Sequence, residues 1–197
     1  MYASNVPKLW EATIDEHRRQ VRDAILDATW SLVGERGLLS VTMSMIAQQT
    51  GIGRATLYKY FPDVEAILSA WHERQVTDHL ATLAALQEED GPARDRLRAM
   101  ATAYARICQM RARHGAQELG PLLHRSEHVA RAEERLHALF RDLLSEARAA
   151  GEVRDDAPAE ELATFCLYAL GAAGGLGSDD DAVRRLVDVT LDAMAAR

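Results

Sequence analysis

Residues 42–61, TMSMIAQQTGIGRATLYKYF, decide how the chain is read. Two short helical segments, roughly Met43 to Thr50 and Arg54 to Tyr60, flank the three-residue turn Gly51, Ile52, Gly53. Thr42 suits the N-cap of the first segment, because its hydroxyl accepts a bond from an otherwise unpaired backbone N–H. Met43, Ile46 and Ala47 fall on the inward face of that segment, and Gly51 suits a left-handed turn position that penalises residues with a Cβ. Ile52 is the buried plug of the turn, and Leu57 and Phe61 anchor the second segment from below. The outward face is then Arg54, Ala55, Thr56, Tyr58, Lys59 and Tyr60. Hydroxyl, guanidinium and ammonium donors of this kind bond phosphate oxygens and base edges. The spacing predicts a helix-turn-helix, a motif whose second helix can enter the major groove of DNA.

On either side of this motif the chain reads as helix, punctuated by glycine and proline at the boundaries. A first helix is expected from about Ile14 to Glu35, closed by Gly37. After the motif, Pro62 is expected to open a long helix to about Glu89, with Val64, Ile67, Leu68, Trp71, Val76, Leu80, Leu83 and Leu86 as its apolar stripe. Further helices are expected from about Pro92 to His114, near Pro121 to Arg125, from a Ser126 cap to Gly151, over 158–177 and over 180–196. Ser178 and Asp179 to Asp181 put a cap and negative charge at the positive end of the last helix dipole. The expected fold is all-α with about nine helices, divided into residues 1–65 and 66–197.

Composition agrees with that class. Ala and Leu supply 58 of the 197 residues against 27 for Val, Ile and Thr, a balance that favours helix over strand. Cys108 and Cys166 stand 58 positions apart and define neither a disulfide framework nor a zinc ribbon, so a reducing, cytoplasmic setting is expected. No signal-peptide pattern and no membrane-length apolar run is present, so no membrane partner is expected. The net charge of −7 does not exclude nucleic acid, because the acidity is unevenly placed. Residues 1–75 hold 8 Lys and Arg against 9 Asp and Glu, whereas residues 76–197 hold 15 against 21. Binding depends on a few placed cations on one face, and the rest of the surface is free to be acidic.

The runs RDAILDATWSLVGERG at 22–37 and IAQQTGIGRATLYKYFPDVEAIL at 46–68 resemble the tetracycline-repressor (TetR) family of transcriptional regulators. The shared pattern is a helix ending in Gly, an Ile-Ala pair, a Gly-aliphatic turn, then Thr-Leu-Tyr-x-Tyr-Phe and a following helix with Glu and Leu. The resemblance covers roughly the first third of the chain. It implies that Thr42 and Ser44 touch phosphates from the start of the first short helix, and that Arg54 and Thr56 read bases. It further implies that Ala55 puts a methyl group at the groove, that Tyr58 packs on a base or phosphate, and that Lys59 and Tyr60 clamp the backbone. Three positions depart from the family: Gly53 replaces a Ser or Thr N-cap, Ala55 a glycine, and Val64 a lysine. Losing one phosphate contact at position 64 lowers the salt slope of DNA binding by about 0.9 per half-site. Binding is still expected to be salt-sensitive, with weak affinity for non-specific DNA.

For the remaining two thirds, the resemblance implies a helical domain that binds an unidentified small-molecule effector and forms a homodimer. Pocket lining is expected from Trp71, Met100, Tyr104, Cys108, Leu123, Phe140, Phe165 and Tyr168. Pairing of the last two helices into a four-helix bundle is expected to use Phe165, Leu170, Gly174, Leu186, Val187 and Leu191. Two reading helices would then sit one helical turn apart on a palindromic operator, and ligand would favour a spacing that no longer fits. The long helix from Pro62 is the expected lever. A ligand-independent regulator of the same fold is the alternative. A second alternative, a zinc enzyme, rests on HRSEH at 124–128, where His124 and His128 would ligate metal and Glu127 act as base. Ser126 between the two histidines is expected to cap a helix, which breaks the single helical face that such a site needs. No catalytic constellation, resident metal or cofactor is therefore expected.

Overall fold

A computed structural model describes residues 6–113 and 127–196, and among these the secondary structure is helical apart from one isolated bridge between Val153 and Ala195. Eight α-helices follow in order: α1 Val6–Arg36, α2 Met43–Thr50, α3 Arg54–Tyr60, α4 Val64–Gln87, α5 Ala93–Arg113, α6 Glu127–Ala149, α7 Ala159–Gly171 and α8 Asp180–Ala193. Two 3-10 turns, Leu38–Ser40 and Ala172–Gly175, complete the set. The all-α expectation holds. The short helix expected near 121–125 and the Ser126 cap lie outside the described residues.

Helix ends differ from expectation for identifiable reasons. The first helix begins at Val6, not near Ile14, because a solvent-exposed helix continues without an apolar stripe to mark it. Residues 13–20 are all exposed, Ile14 included at 50%, yet no breaker interrupts the polar run and the helix continues through it. The helix expected from Pro62 begins at Val64, since Asp63 takes the N-cap place and its Oδ1 accepts from Ala66 N–H at 2.8 Å. The helix expected over 158–177 ends at Gly171, where the chain tightens into the 3-10 turn of small residues. Asp179 caps α8, accepting from the N–H groups of Asp181 and Ala182 at 2.9 and 3.0 Å. Those two bonds, led by Ala182, favour its charged form and hold its pKa below the ordinary carboxylate value.

The chain divides into two compact units, Met1–Arg74 and Gln75–Arg197. The division falls inside α4, further along than the expected boundary at residue 65. The reason lies in the contacts of α4 with α1, where Trp71 stacks on Trp30 and Arg74 pairs with Asp23 and Asp27. The first unit closes over Ile25, Leu26, Leu32, Ile46, Leu57, Phe61 and Ile67. In the second, α5 packs against α6, α7, α8 and the 3-10 turn around Leu97, Met100, Phe140, Leu143, Cys166, Leu170 and Val187. Burying each such side chain contributes about 1.5–3 kcal/mol, the main term holding either unit together. No described helix is long and apolar enough to cross a membrane.

Candidate nucleic-acid interface

The candidate surface is built from α2, α3 and the turn between them. Thr42 holds an extended backbone, and its hydroxyl accepts from Met45 N–H at 3.3 Å, so it caps α2 as expected. Gly51 ends α2 in the left-handed region at φ 70°, with its N–H bonded to Gln48 O at 3.3 Å. A residue with a Cβ is strained in that conformation, so glycine makes the sharp turn possible. Ile52 packs against the core but is half-buried, less enclosed than the buried plug expected of it. Gly53 occupies the N-cap of α3 and offers no side-chain bond, leaving the amides of Thr56 and Leu57 to its carbonyl at 2.9 and 3.0 Å.

The underside of the motif is held firmly. Met43, Ile46 and Ala47 of α2 are buried, Leu57 of α3 has no exposed surface, and Phe61 at its C-cap is 5% exposed. The Arg22 guanidinium from α1 lies 5.4 Å over the ring of Phe61, the C-cap of α3, a cation–π contact. With that side fixed, Ser44, Arg54, Ala55, Thr56, Tyr58 and Lys59 are all exposed, as is Thr42. Tyr60 differs: it is half-buried and packs on the core, so its ring is committed to the protein interior more than an exposed clamp would be. One surface thus gathers a cap hydroxyl, a serine, a threonine, a tyrosine, a guanidinium and an ammonium. Chemically this set can donate to phosphates and to guanine or adenine edges.

In the second unit, Met100 and Phe140 are fully buried, and Tyr104 meets Phe140 edge-on with ring centroids 5.8 Å apart. Tyr104 and Cys108 stand one turn apart on α5, close enough for each to influence the other's ionisation. Burial pushes both upward in pKa, and it pushes the fully enclosed Cys166 thiol up to about 12. The other expected lining residues do not join this cluster. Trp71 lies in the first unit, its ring 3.7 Å from Trp30 at an interplanar angle of 12°. Phe165 and Tyr168 face outward, 45% and 82% exposed, because the opposite face of α7 carries Leu162, Cys166 and Leu170 into the core. Leu123 lies outside the described residues.

The residues expected at a dimer interface also separate by helix face. Leu170, Val187 and Leu191 are buried in their own chain's core, out of reach of a partner. Gly174 is turned toward α5, where an added Cβ would meet Ala112 Cβ at 3.3 Å. Leu186 is half-buried and Phe165 exposed. Phe165, expected at both the pocket and the interface, and Tyr168, expected at the pocket, face solvent from α7, and Val189, expected at neither, faces solvent from α8. For the 124–128 stretch, His124 lies outside the described residues. Among the described residues no three His, Cys, Asp or Glu side chains form a group that could hold a metal.

Residues 25–71 match the family model of bacterial regulatory proteins of the tetR family, and residues 98–196 match the SbtR-like transcriptional regulator C-terminal domain. An uncharacterized HTH-type transcriptional regulator of Mycobacterium tuberculosis is 43% identical over 53 residues, which span 27% of this chain and 26% of that protein. The matched stretch thus covers about a quarter of that relative's length. A TetR/AcrR-family regulator of Thermobifida fusca superposes with a TM-score of 0.76 at 20% identity, over 87% of this chain and 96% of that one. SmeT, the repressor of a Stenotrophomonas maltophilia multidrug efflux pump, superposes with a TM-score of 0.68 at 22% identity, over 88% and 90% of the two chains. These two likenesses are of fold. With the helix-turn-helix packed as described and family models matched in both units, the chain belongs to the TetR family of bacterial transcriptional regulators.

Proposed function

We infer that this regulator acts as a homodimeric repressor in the cytoplasm, binding a palindromic operator through paired α3 helices and leaving it when a small molecule binds the second unit. The observation that carries the DNA contact is the one-sided α3: Leu57 buried, and Arg54, Thr56, Tyr58 and Lys59 exposed together. Arg54 and Thr56 read bases, Tyr58 packs on a base or phosphate, and Thr42, Ser44 and Lys59 fix the register on the backbone. Ala55 offers only a methyl group to the groove. The outward Phe165, Tyr168 and Val189 support pairing of α7 and α8 with a second copy. The Tyr104–Cys108 pair, one turn apart with Tyr104 against Phe140, supports a ligand seat on α5. The chain works by binding, without catalysis.

A ligand-independent regulator remains the second reading. It is favoured by the complete burial of Met100 and Phe140 and by the placement of Trp71, Phe165 and Tyr168 away from them. Mobility shift on the DNA upstream of the chain's own gene tests the DNA reading common to both. Thr56→Ala and Tyr58→Ala are expected to lose the shifted band while keeping wild-type helicity; unchanged binding in both would remove α3 as the reading helix.

A further inference from the structure

The first unit contains a second structured seam, on α1 and α4, that no base-reading or phosphate-binding role uses. Asp23, Asp27 and Trp30 recur on α1 at spacings of four and three, and Ile67, Trp71 and Arg74 recur on α4 at the same spacings. Each set therefore forms one stripe on its helix. The stripes meet in antiparallel register. Trp71 lies on Trp30 with the rings 3.7 Å apart and nearly parallel. Arg74 reaches back one turn of α1, one terminal nitrogen bonding Asp23 at 3.2 Å and the other bonding Asp27. Ile67, fully buried, continues the stripe into the core that holds Ile25 and Leu26.

Two carboxylates one turn apart on a helix repel and are unfavourable unless a cation lies between them. A planar guanidinium with two separate donor edges meets that need, and a lysine ammonium does so less well. The Arg74 side chain is only 24% exposed and is occupied by two acids, so it is not disposed to contact phosphate. Its position in the chain is also distinctive. Arg74 is the last residue of the first unit, and α4 continues without a break into the second. At its other end α4 follows α3 after only Phe61, Pro62 and Asp63, with Phe61 itself gripped by Arg22 of α1. Helix α1 thus holds both the end of the reading helix and the outgoing helix, through adjacent residues Arg22 and Asp23.

We propose that Arg74, bridged to Asp23 and Asp27 beside the Trp30–Trp71 stack, is a positioning residue that fixes α4 to α1 so that α2 and α3 meet DNA as one rigid head. The seam acts on the α2–α3 surface assigned to DNA above and so rests on that reading. Loosening it leaves every DNA-facing side chain in place but lets the reading helix sample poses that do not fit the groove.

The test uses the full-length chain and a fluorescein-labelled duplex that it selects from a random-sequence library, with affinity read by anisotropy across a salt titration. Arg74→Ala is expected to weaken binding roughly tenfold, the factor that about one net charge-assisted contact is worth. The slope of log affinity against log salt should not change, because no phosphate contact is lost. The circular-dichroism couplet of the stacked indoles should shrink in parallel. The isosteric pair Asp23→Asn with Asp27→Asn should behave alike and gives the answer if Arg74→Ala does not fold. Arg74→Asp combined with Asp27→Arg should regain most of the affinity. Unchanged affinity in Arg74→Ala or in the Asn pair, a salt slope smaller by about one, or a charge swap that folds without regaining affinity each overturns the proposal. A wild-type chain that selects no duplex overturns the DNA reading and the proposal together, an outcome distinct from a selected duplex that the variants bind equally well.

Discussion

Thr42 and Gly53 hold the same place at the starts of α2 and α3 and differ in whether a side chain caps the helix. The Thr42 hydroxyl satisfies Met45 N–H, so Thr42→Ala should lower stability by about 1 kcal/mol. Gly53 has an ordinary φ of −65°, and a Cβ there would meet nothing closer than Thr56 Oγ1 at 3.9 Å. Gly53→Ser should therefore raise stability by roughly 0.3 kcal/mol. Urea unfolding of the two variants checks the pair; equal midpoints would show that the caps do not matter here. The capping residue and the left-handed Gly51 were both legible in the sequence, because each role follows from a single side chain and its own backbone. The half-burial of Tyr60 was not, since it depends on how closely the end of α3 approaches the core.

At the scale of elements, periodicity located the helices and their buried faces but misjudged which face meets what. On α7 the spacing of Leu162, Cys166 and Leu170 marks one apolar face, and Phe165 and Tyr168 mark another. A sequence carrying apolar residues on two faces does not say which one its own core takes. In the structure α5 and α6 cover the first, leaving Phe165 and Tyr168 in solvent. If that outward face pairs two chains, Phe165→Asp with Tyr168→Asp should convert a dimer to a monomer in sedimentation, with helicity unchanged. A variant that stays dimeric would place the interface elsewhere. The same ambiguity sent Trp71 to the wrong neighbours. Its stripe on α4 was read correctly, but its partner, Trp30, lies 41 positions away on α1 and was beyond the reach of local spacing.

Across the whole molecule, the buried groups that titrate at high pH set an alkaline limit. Burial favours the neutral forms of Cys166, Cys108 and Tyr104, raising all three above their ordinary values. A group whose folded pKa is raised lends stability that is complete below its unfolded pKa and fades as pH climbs toward the folded one. For Cys166 that window runs from the ordinary thiol value of 9.0 to about 12. Urea midpoints should therefore fall between about pH 8 and about pH 10.5, and Cys166→Ala should show a shallower decline. An equal decline in the variant would assign the effect to other groups.

The sequence by itself determined the helical class, the helix-turn-helix with its turn and its outward donors, and the concentration of negative charge in the second half of the chain. Each of these follows from residue type and short-range spacing, which the backbone obeys locally. The tertiary structure alone decided that the first unit reaches to Arg74, that α1 grips α4 through two aspartates and a tryptophan, and that Leu170, Val187 and Leu191 are spent on the chain's own core. Those outcomes depend on which of several similar surfaces come together. Hydrophobic burial is proportional to area and carries no direction, so only the packed arrangement chooses among them.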